Sequence, residues 1–163
     1  MAARDKIPST PAVLMLRAAN VEFAPHFYDY EEHGGTAVSS RELGVDEHQV
    51  VKTLIMEDDR ANPLIVLMHG DMKVSTKELA RVIGVKRVVP SNPEAAQRHS
   101  GYMVGGTSPF GTRKALPAYM EKSILDLPGI YINGGSRGFL VGIEPQAVVR
   151  LLKPVLVSVA IPQ

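Results

Sequence analysis

Helix and strand signals alternate along this 163-residue chain in short pieces, with no linker long enough to mark a domain boundary. Thr10 is placed to cap a helix that has Pro11 at its first position and ends by Asn20. Residues 21–30 read as a strand interrupted by Pro25, and 39–43 as a brief helix closed by Gly44. Residues 50–56 and 64–68 are two strands joined through the 58–63 turn, so antiparallel pairing is expected. A Ser75-capped helix to Ile83, a strand at 86–89 and a helix over 94–99 opened by Asn92-Pro93 follow. Strand signals recur at 102–104, 116–120, 130–132 and 139–143; Pro145 starts a helix over 146–152, and 155–161 is a last apolar strand or tail. Many short strands with scattered helices predict one α+β domain over residues 1–163, with 1–9 flexible. Its sheet is expected to be mixed, mostly antiparallel, strongly bent and barrel-like, flanked by short helices rather than built from βαβ repeats. At 45% hydrophobic residues, this length fills one core and not two.

Eighteen basic against seventeen acidic residues leave a net charge of +1. That excludes a polybasic surface gripping a long nucleic acid by phosphate neutralisation, so any RNA contact must be local or shared with a partner, and DNA is not expected. No run approaches the roughly eighteen apolar residues of a membrane span. The N-terminus has no apolar signal core, and the absence of cysteine is compatible with a reducing compartment, so a cytoplasmic location is expected. Without cysteine there is no thiol nucleophile or thiolate ligand. His26, His33, His48, His69 and His99 show no H-x-x-x-H or H-x-H spacing, so neither metal nor cofactor is expected. Ser39, Ser40 and Ser75 read as caps, Ser108 lacks a G-x-S-x-G frame, and no Ser-His pair is evident.

Residues 95–117, AAQRHSGYMVGGTSPFGTRKALP, run from a short polar helix into a loop that exposes backbone. Gly105, Gly106 and Gly111 allow positive φ and close approach, while Pro109 stiffens the turn. Such a loop is either a surface turn between strands or a set of N–H groups aimed at an anionic atom. It is not a nucleotide P-loop, because Thr112 stands where that motif needs its lysine. In the 50–56 strand, alternation puts Val50, Lys52, Leu54 and Met56 on one side and Val51, Thr53 and Ile55 on the other. Lys52 either snorkels to an edge or sits in a pocket, where it needs an anion or loses its proton. A second glycine loop, 132–139, reads as a hairpin turn or as part of a cleft.

Taken together, VVKTL at 50–54, AAQRHSGYMVGGTSPFG at 95–111 and YINGGSRG at 131–138 closely resemble the YbaK/prolyl-tRNA synthetase-associated family of aminoacyl-tRNA editing domains, from about Thr10 to Leu152. The resemblance implies that family's fold and hydrolysis, without metal, of the ester joining a wrong amino acid to the 3′-terminal adenosine of tRNA. Cysteine mischarged on the proline tRNA is the leading substrate, and alanine or serine on that tRNA the alternatives. The implied partners are the tRNA acceptor 3′ end and prolyl-tRNA synthetase. The family's essential lysine falls on Lys52, its G-x-x-x-P loop on Gly105 and Pro109, and its small polar residue before G-G-x-R-G on Asn133.

In this chemistry Lys52, Gly105 and Gly106 are the catalytic candidates: backbone amides for the carbonyl oxygen, and an ammonium that holds phosphate or ribose, or orients the ester. Tyr28, Thr53, Thr107, Ser108, Pro109, Gly111, Asn133 and Gly134 are the substrate-binding candidates. The nucleophile is expected from outside the protein, either the substrate's own thiol or a water. Asn133 in place of a small hydroxyl residue, and Leu140 where a polar or acidic residue is usual, depart from the cysteine-editing pattern. The 31–38 segment is also short for the loop that usually gives the pocket an aromatic, which leaves Tyr28 as one wall. The reading from another class is a catalytically silent module that recruits tRNA or a synthetase; a small-molecule hydrolase would need a nucleophile that the chain does not display.

Overall fold

Local chemistry fixes the helix ends in the structure, a computed structural model that describes residues 6–163. Helix α1 (Pro11–Ala18) starts where Thr10 accepts a hydrogen bond from the Val13 N–H, as its sequence predicts. Helix α2 (Gly35–Leu43) is longer than the expected 39–43 and closes on left-handed Gly44. Ser39 and Ser40 therefore lie inside α2, donating back to the Thr36 and Ala37 carbonyls, and are not caps. Ser75 and Asn92 do cap α3 (Thr76–Ile83) and α4 (Pro93–Ser100), which end on left-handed Gly84 and Gly101. Helix α5 (Pro145–Leu152) has its proline at the first turn, where a missing N–H costs nothing.

The strands are β1 (Ala24–Phe27), β2 (Val50–Asp58), β3 (Pro63–His69), β4 (Met72–Val74) and β5 (Val88–Pro90), then β6 (Ala118–Glu121), β7 (Ile130–Ser136), β8 (Phe139–Ile143), β9 (Val155–Val157) and β10 (Ala160–Pro162). The main sheet has the order β1-β8-β7-β2-β3-β6-β9, with β5 also paired to β2. Pairs β2/β7, β3/β6 and β6/β9 are parallel and the others antiparallel, including the expected β2/β3 hairpin. The sheet is open, with β1 and β9 at its ends, so it is mixed as expected but not closed into a barrel.

Three local expectations fail. Residues 102–104 are not a strand: Tyr102 turns its ring into the core and donates its hydroxyl to the Phe110 carbonyl at 2.6 Å, which braces the glycine loop from within. Strand β1 is shorter than 21–30 and holds Pro25 inside an edge strand, the position in a sheet that tolerates it. The 155–161 tail divides into β9 and β10, and β10 pairs with β4, a strand whose three residues gave too little periodicity to notice. The segment 1–9 expected to be flexible begins with 1–5, outside the described residues; Ile7 packs on the main core.

Alternation along β2 separates two apolar layers. Val51 and Ile55 enter the main core with Leu16 of α1, Val148 of α5, Ile132, Phe139 and Phe110, whereas Leu54 and Met56 pack with α3 and β3 residues on the other side. The face of the sheet on which a residue stands therefore decides whether it can reach a ligand. Among the described residues, no helix is long and apolar enough to cross a membrane.

Candidate active site

Parallel pairing of β2 with β7 sets Val50 opposite Tyr131 and Val51 opposite Ile132. Lys52 and Asn133 each stand one residue beyond the last of these pairs, on the face away from the main core. Leu140 pairs with Asn133, His26 with Leu140, and Met68 with Lys52. Two row segments, His26–Leu140–Asn133 and Lys52–Met68, thus stand on this face of the sheet.

Asn133 ties its row to the glycine loop. Its side-chain NH₂ donates to the Gly105 carbonyl at 3.1 Å, while its oxygen accepts from the Gly135 and Ser136 N–H groups at 2.6 and 3.2 Å. The same amide therefore holds the β7 bulge and the loop together. Gly105 has φ +89°, and a Cβ there would lie 2.4 Å from the Tyr30 hydroxyl oxygen. Arg137 adds a third tie, donating from Nε to the Val104 carbonyl at 2.9 Å with its guanidinium 5.0 Å from the Tyr30 ring centre. Tyr28, Tyr30, Arg137 and Gly138 line a small hollow of about 300 Å³ here. Burial pushes the Tyr28 phenol above its ordinary pKa, so it stays a neutral donor.

On the other side of Asn133, Lys52 is half-buried and its Nζ donates to the Gly70 carbonyl at 3.3 Å. Burial lowers its pKa, and the Glu47 and Asp71 carboxylates oppose that shift. Gly70 is itself fixed: its N–H donates to Val50 O at 2.6 Å, and Thr36 Oγ1 stands 3.1 Å from its carbonyl and 2.7 Å from Glu47 Oε2. A Cβ at Gly70 would strike Thr36 Oγ1 and the Glu47 carbonyl at 2.7 and 2.9 Å, so only glycine lets α2 and the 47–49 turn close behind the lysine. The ammonium bonds to a neutral carbonyl, with the carboxylates acting at longer range. It retains donors for an incoming oxygen.

The other sequence candidates make contacts within the scaffold, and among the described residues the Thr107 N–H is left open. The Thr53 side chain faces the main-core side with Val51, opposite to Lys52, and its hydroxyl is buried without a hydrogen-bond partner among the described residues. Gly106 donates its N–H to Met103 O at 2.8 Å, so that amide is spent inside the turn and is not open to an oxyanion. Ser108 is fully buried and its hydroxyl accepts from the Phe110 N–H at 3.2 Å. Pro109 is buried, and Gly111 packs on Pro11 with its N–H directed at Met15 Sδ, 3.1 Å away. Gly134 makes room for the Phe139 ring and accepts the Thr10 hydroxyl proton. Thr107, half-buried, directs its hydroxyl toward Met103 O at 3.4 Å. Among the described residues, no hydrogen-bond partner is found for the N–H of Gly105 or Thr107.

A Ser-His pair does exist, though the sequence did not disclose it: His69 Nε2 lies 2.7 Å from Ser123 Oγ, with Nδ1 held by His48 O at 2.8 Å. His69 is 1% exposed and pairs in register with Val51, whose side chain belongs to the core face. This pair lies on the far side of the sheet from Lys52. Sequence reasoning also missed Tyr30, Arg137, Thr36, Glu47 and Gly70. The spacing of two between Tyr28 and Tyr30 was the only available hint; the others meet through tertiary packing.

Asn133→Asp keeps the two acceptor bonds of the bulge but loses the donor to Gly105. The folded protein is expected to form, with a loss of roughly 1–2 kcal/mol in urea unfolding. The catalytic efficiency of the deacylation proposed below should fall about tenfold, because the loop is no longer tied to β7 on the face that presents Lys52.

The open mixed sheet thus holds a lysine, a side-chain amide and a glycine loop on one of its faces. Residues 31–151 match the family described as the aminoacyl-tRNA editing domain, and the chain belongs to that family. Among relatives, it is 26% identical over 152 residues to EbsC, a candidate Cys-tRNA(Pro)/Cys-tRNA(Cys) deacylase of Enterococcus faecalis, covering 93% of each chain. It is 28% identical to a proline–tRNA ligase of Thermodesulfovibrio yellowstonii, over 83% of this chain and 21% of the ligase. The crystal structure of a candidate trans-editing enzyme for prolyl-tRNA synthetase has the same fold, with a TM-score of 0.79 at 19% identity over 94% of this chain and 98% of that one. The hypothetical protein APE2540 is similar in the same way, with a TM-score of 0.85 at 21% identity over 93% of this chain and 99% of that one.

Proposed function

We propose that this protein is an aminoacyl-tRNA deacylase acting in trans, which cleaves the ester between a mischarged amino acid and the terminal adenosine of tRNA(Pro), cysteine being the first candidate. The observation that carries the reading is that Asn133, bound to the Gly105 carbonyl and paired with Leu140, stands on the face of the sheet that also presents Lys52. The names of EbsC and of the trans-editing enzyme support the reaction, and the proline–tRNA ligases support a synthetase of that specificity as partner.

Attack on the ester carbonyl places negative charge on its oxygen. The N–H groups of Gly105 and Thr107 are assigned to that oxygen, replacing Gly106 in the role. Lys52 holds the ribose or phosphate oxygens of the terminal nucleotide as a point charge, behind which Gly70, Thr36 and Glu47 fix its reach. With cysteine, the substrate thiol forms the new bond to the carbonyl carbon, the ester C–O bond breaks, and the thiol proton ends on the released ribose hydroxyl. With alanine or serine, a bound water takes the place of the thiol. Leu140, buried beside the Asn133 amide, backs that amide with apolar packing.

Incubating the protein with labelled cysteinyl-, alanyl- and seryl-tRNA(Pro) and following ester loss tests the proposal. Release of at least one amino acid well above the spontaneous rate is expected. No release from any of them, with tRNA still bound, would favour a silent binding module.

A further inference from the structure

A groove of about 1190 Å³ contains none of the glycine-loop residues. It opens at the other end of β7 and β8, and Tyr131, His26, Phe23, Gln49, Glu144 and Arg150 are among its walls. Tyr131, Gly142 and Ala24 give it a row on the face of Asn133 and Lys52, two residues before Asn133 along β7, and Ile130, Ile143 and Ala147 line it from the core side. At about 3.3 Å per residue the two rows are some 7 Å apart. His26 belongs to both: it pairs with Leu140 in the Asn133 row and meets Tyr131 edge-on, ring centres 5.1 Å apart, in the groove. Gly142 lets the His26 ring settle over β8, since a Cβ there would come within 3.1 Å of His26 Nε2.

We infer that this groove is a nucleobase subsite, taking the single-stranded nucleotides that precede the acylated adenosine and preferring bases with an exocyclic amine, cytosine or adenine. The inference rests on the deacylase reading for which end of the RNA enters. Tyr131, His26 and Phe23 supply aromatic surface, the usual platform for single-stranded bases. The Glu22 and Glu144 carboxylates and the Gln49 carbonyl accept from an amine, as carboxylates do from cytosine N4. Two carboxylates against one guanidinium make the groove a poor phosphate site, and the net charge of +1 leaves little phosphate grip elsewhere. Base contacts must therefore carry the RNA beyond the terminal nucleotide.

The test pairs direct binding with kinetics. Fluorescein-labelled RNA trimers CCA and UUA, identical in their last nucleotide, are titrated into wild type, Tyr131→Phe, Tyr131→Leu and Glu144→Gln, each checked by thermal melting. CCA is expected to bind at least about fivefold tighter than UUA. Tyr131→Leu should weaken CCA about tenfold, Tyr131→Phe should retain it, and Glu144→Gln should narrow the preference. In deacylation, the KM advantage of aminoacyl-tRNA over the matching aminoacyl-adenosine should shrink about tenfold in Tyr131→Leu alone. Equal binding of the trimers, with Tyr131→Leu matching wild type, overturns the subsite even if the ester is cleaved. Tyr131-dependent CCA binding without hydrolysis of any ester keeps the subsite and sinks the deacylase reading.

Discussion

Lys52→Met is expected to lower deacylation by about 10³-fold while the protein remains folded and no less stable than wild type. The two effects have one cause. Lys52 is held half-buried by β2 and the Gly70 turn, and burial lowers its pKa in the folded state. A lysine whose folded pKa lies below its unfolded value costs stability wherever it is charged in both states. That cost is fully present below the folded pKa and fades as pH rises from there to the unfolded value. Methionine keeps most of the stem's packing without the charge, so its midpoint in urea should equal or exceed that of wild type at neutral pH. The gap should close toward alkaline pH. A variant with wild-type turnover would make Lys52 a bystander, and a variant that fails to fold would make it structural.

Gly105→Ala is expected to reduce catalytic efficiency about 10²-fold. The new Cβ would lie 2.4 Å from the Tyr30 hydroxyl oxygen and 2.7 Å from Cε1, at a φ of +89° that an L side chain rarely adopts. Either the loop or the tyrosine must move, and the loop carries the amides proposed for the oxyanion. Gly84→Ala is the matched control: φ is +85° and nothing lies within 4 Å of its Cβ. It should show the backbone penalty alone, about 1 kcal/mol in unfolding, with activity intact. The double variant Tyr30→Ala/Gly105→Ala separates contact from conformation. If it regains much of the lost activity, the clash with Tyr30 is what displaces the loop. If Gly105→Ala and Gly84→Ala are equally active, the glycine loop has no part in the chemistry.

How far the sequence discloses this arrangement depends on the range of the interactions. Thr10, Ser75 and Asn92 reveal their helices because a cap acts within four residues, and the two faces of β2 follow from alternation alone. That alternation already separated Thr53 from Lys52, so its place among the binding candidates came from its neighbour and not from geometry. That Lys52 and Asn133 share a face of the sheet needs the parallel register of strands about eighty residues apart, which no local pattern encodes. Residues 102–104 resemble a strand because an apolar triplet cannot distinguish an extended segment from a loop that buries one aromatic ring. Whether an N–H is open or spent, as at Gly106, is invisible until the turn is closed. The hollow beside Tyr30 and Arg137 arises from tertiary contact in the same way.

The central claim is that Lys52 and the 105–109 loop serve one bound aminoacyl-adenosine. A crystal structure with a non-hydrolysable 3′-amide analogue of cysteinyl-adenosine tests it most directly. The account predicts the acyl oxygen within hydrogen-bond distance of the Gly105 or Thr107 N–H and the ribose or its phosphate within reach of Lys52 Nζ. An analogue seated beside Ser123 and His69, or anywhere else from which Lys52 cannot touch it, would contradict the account.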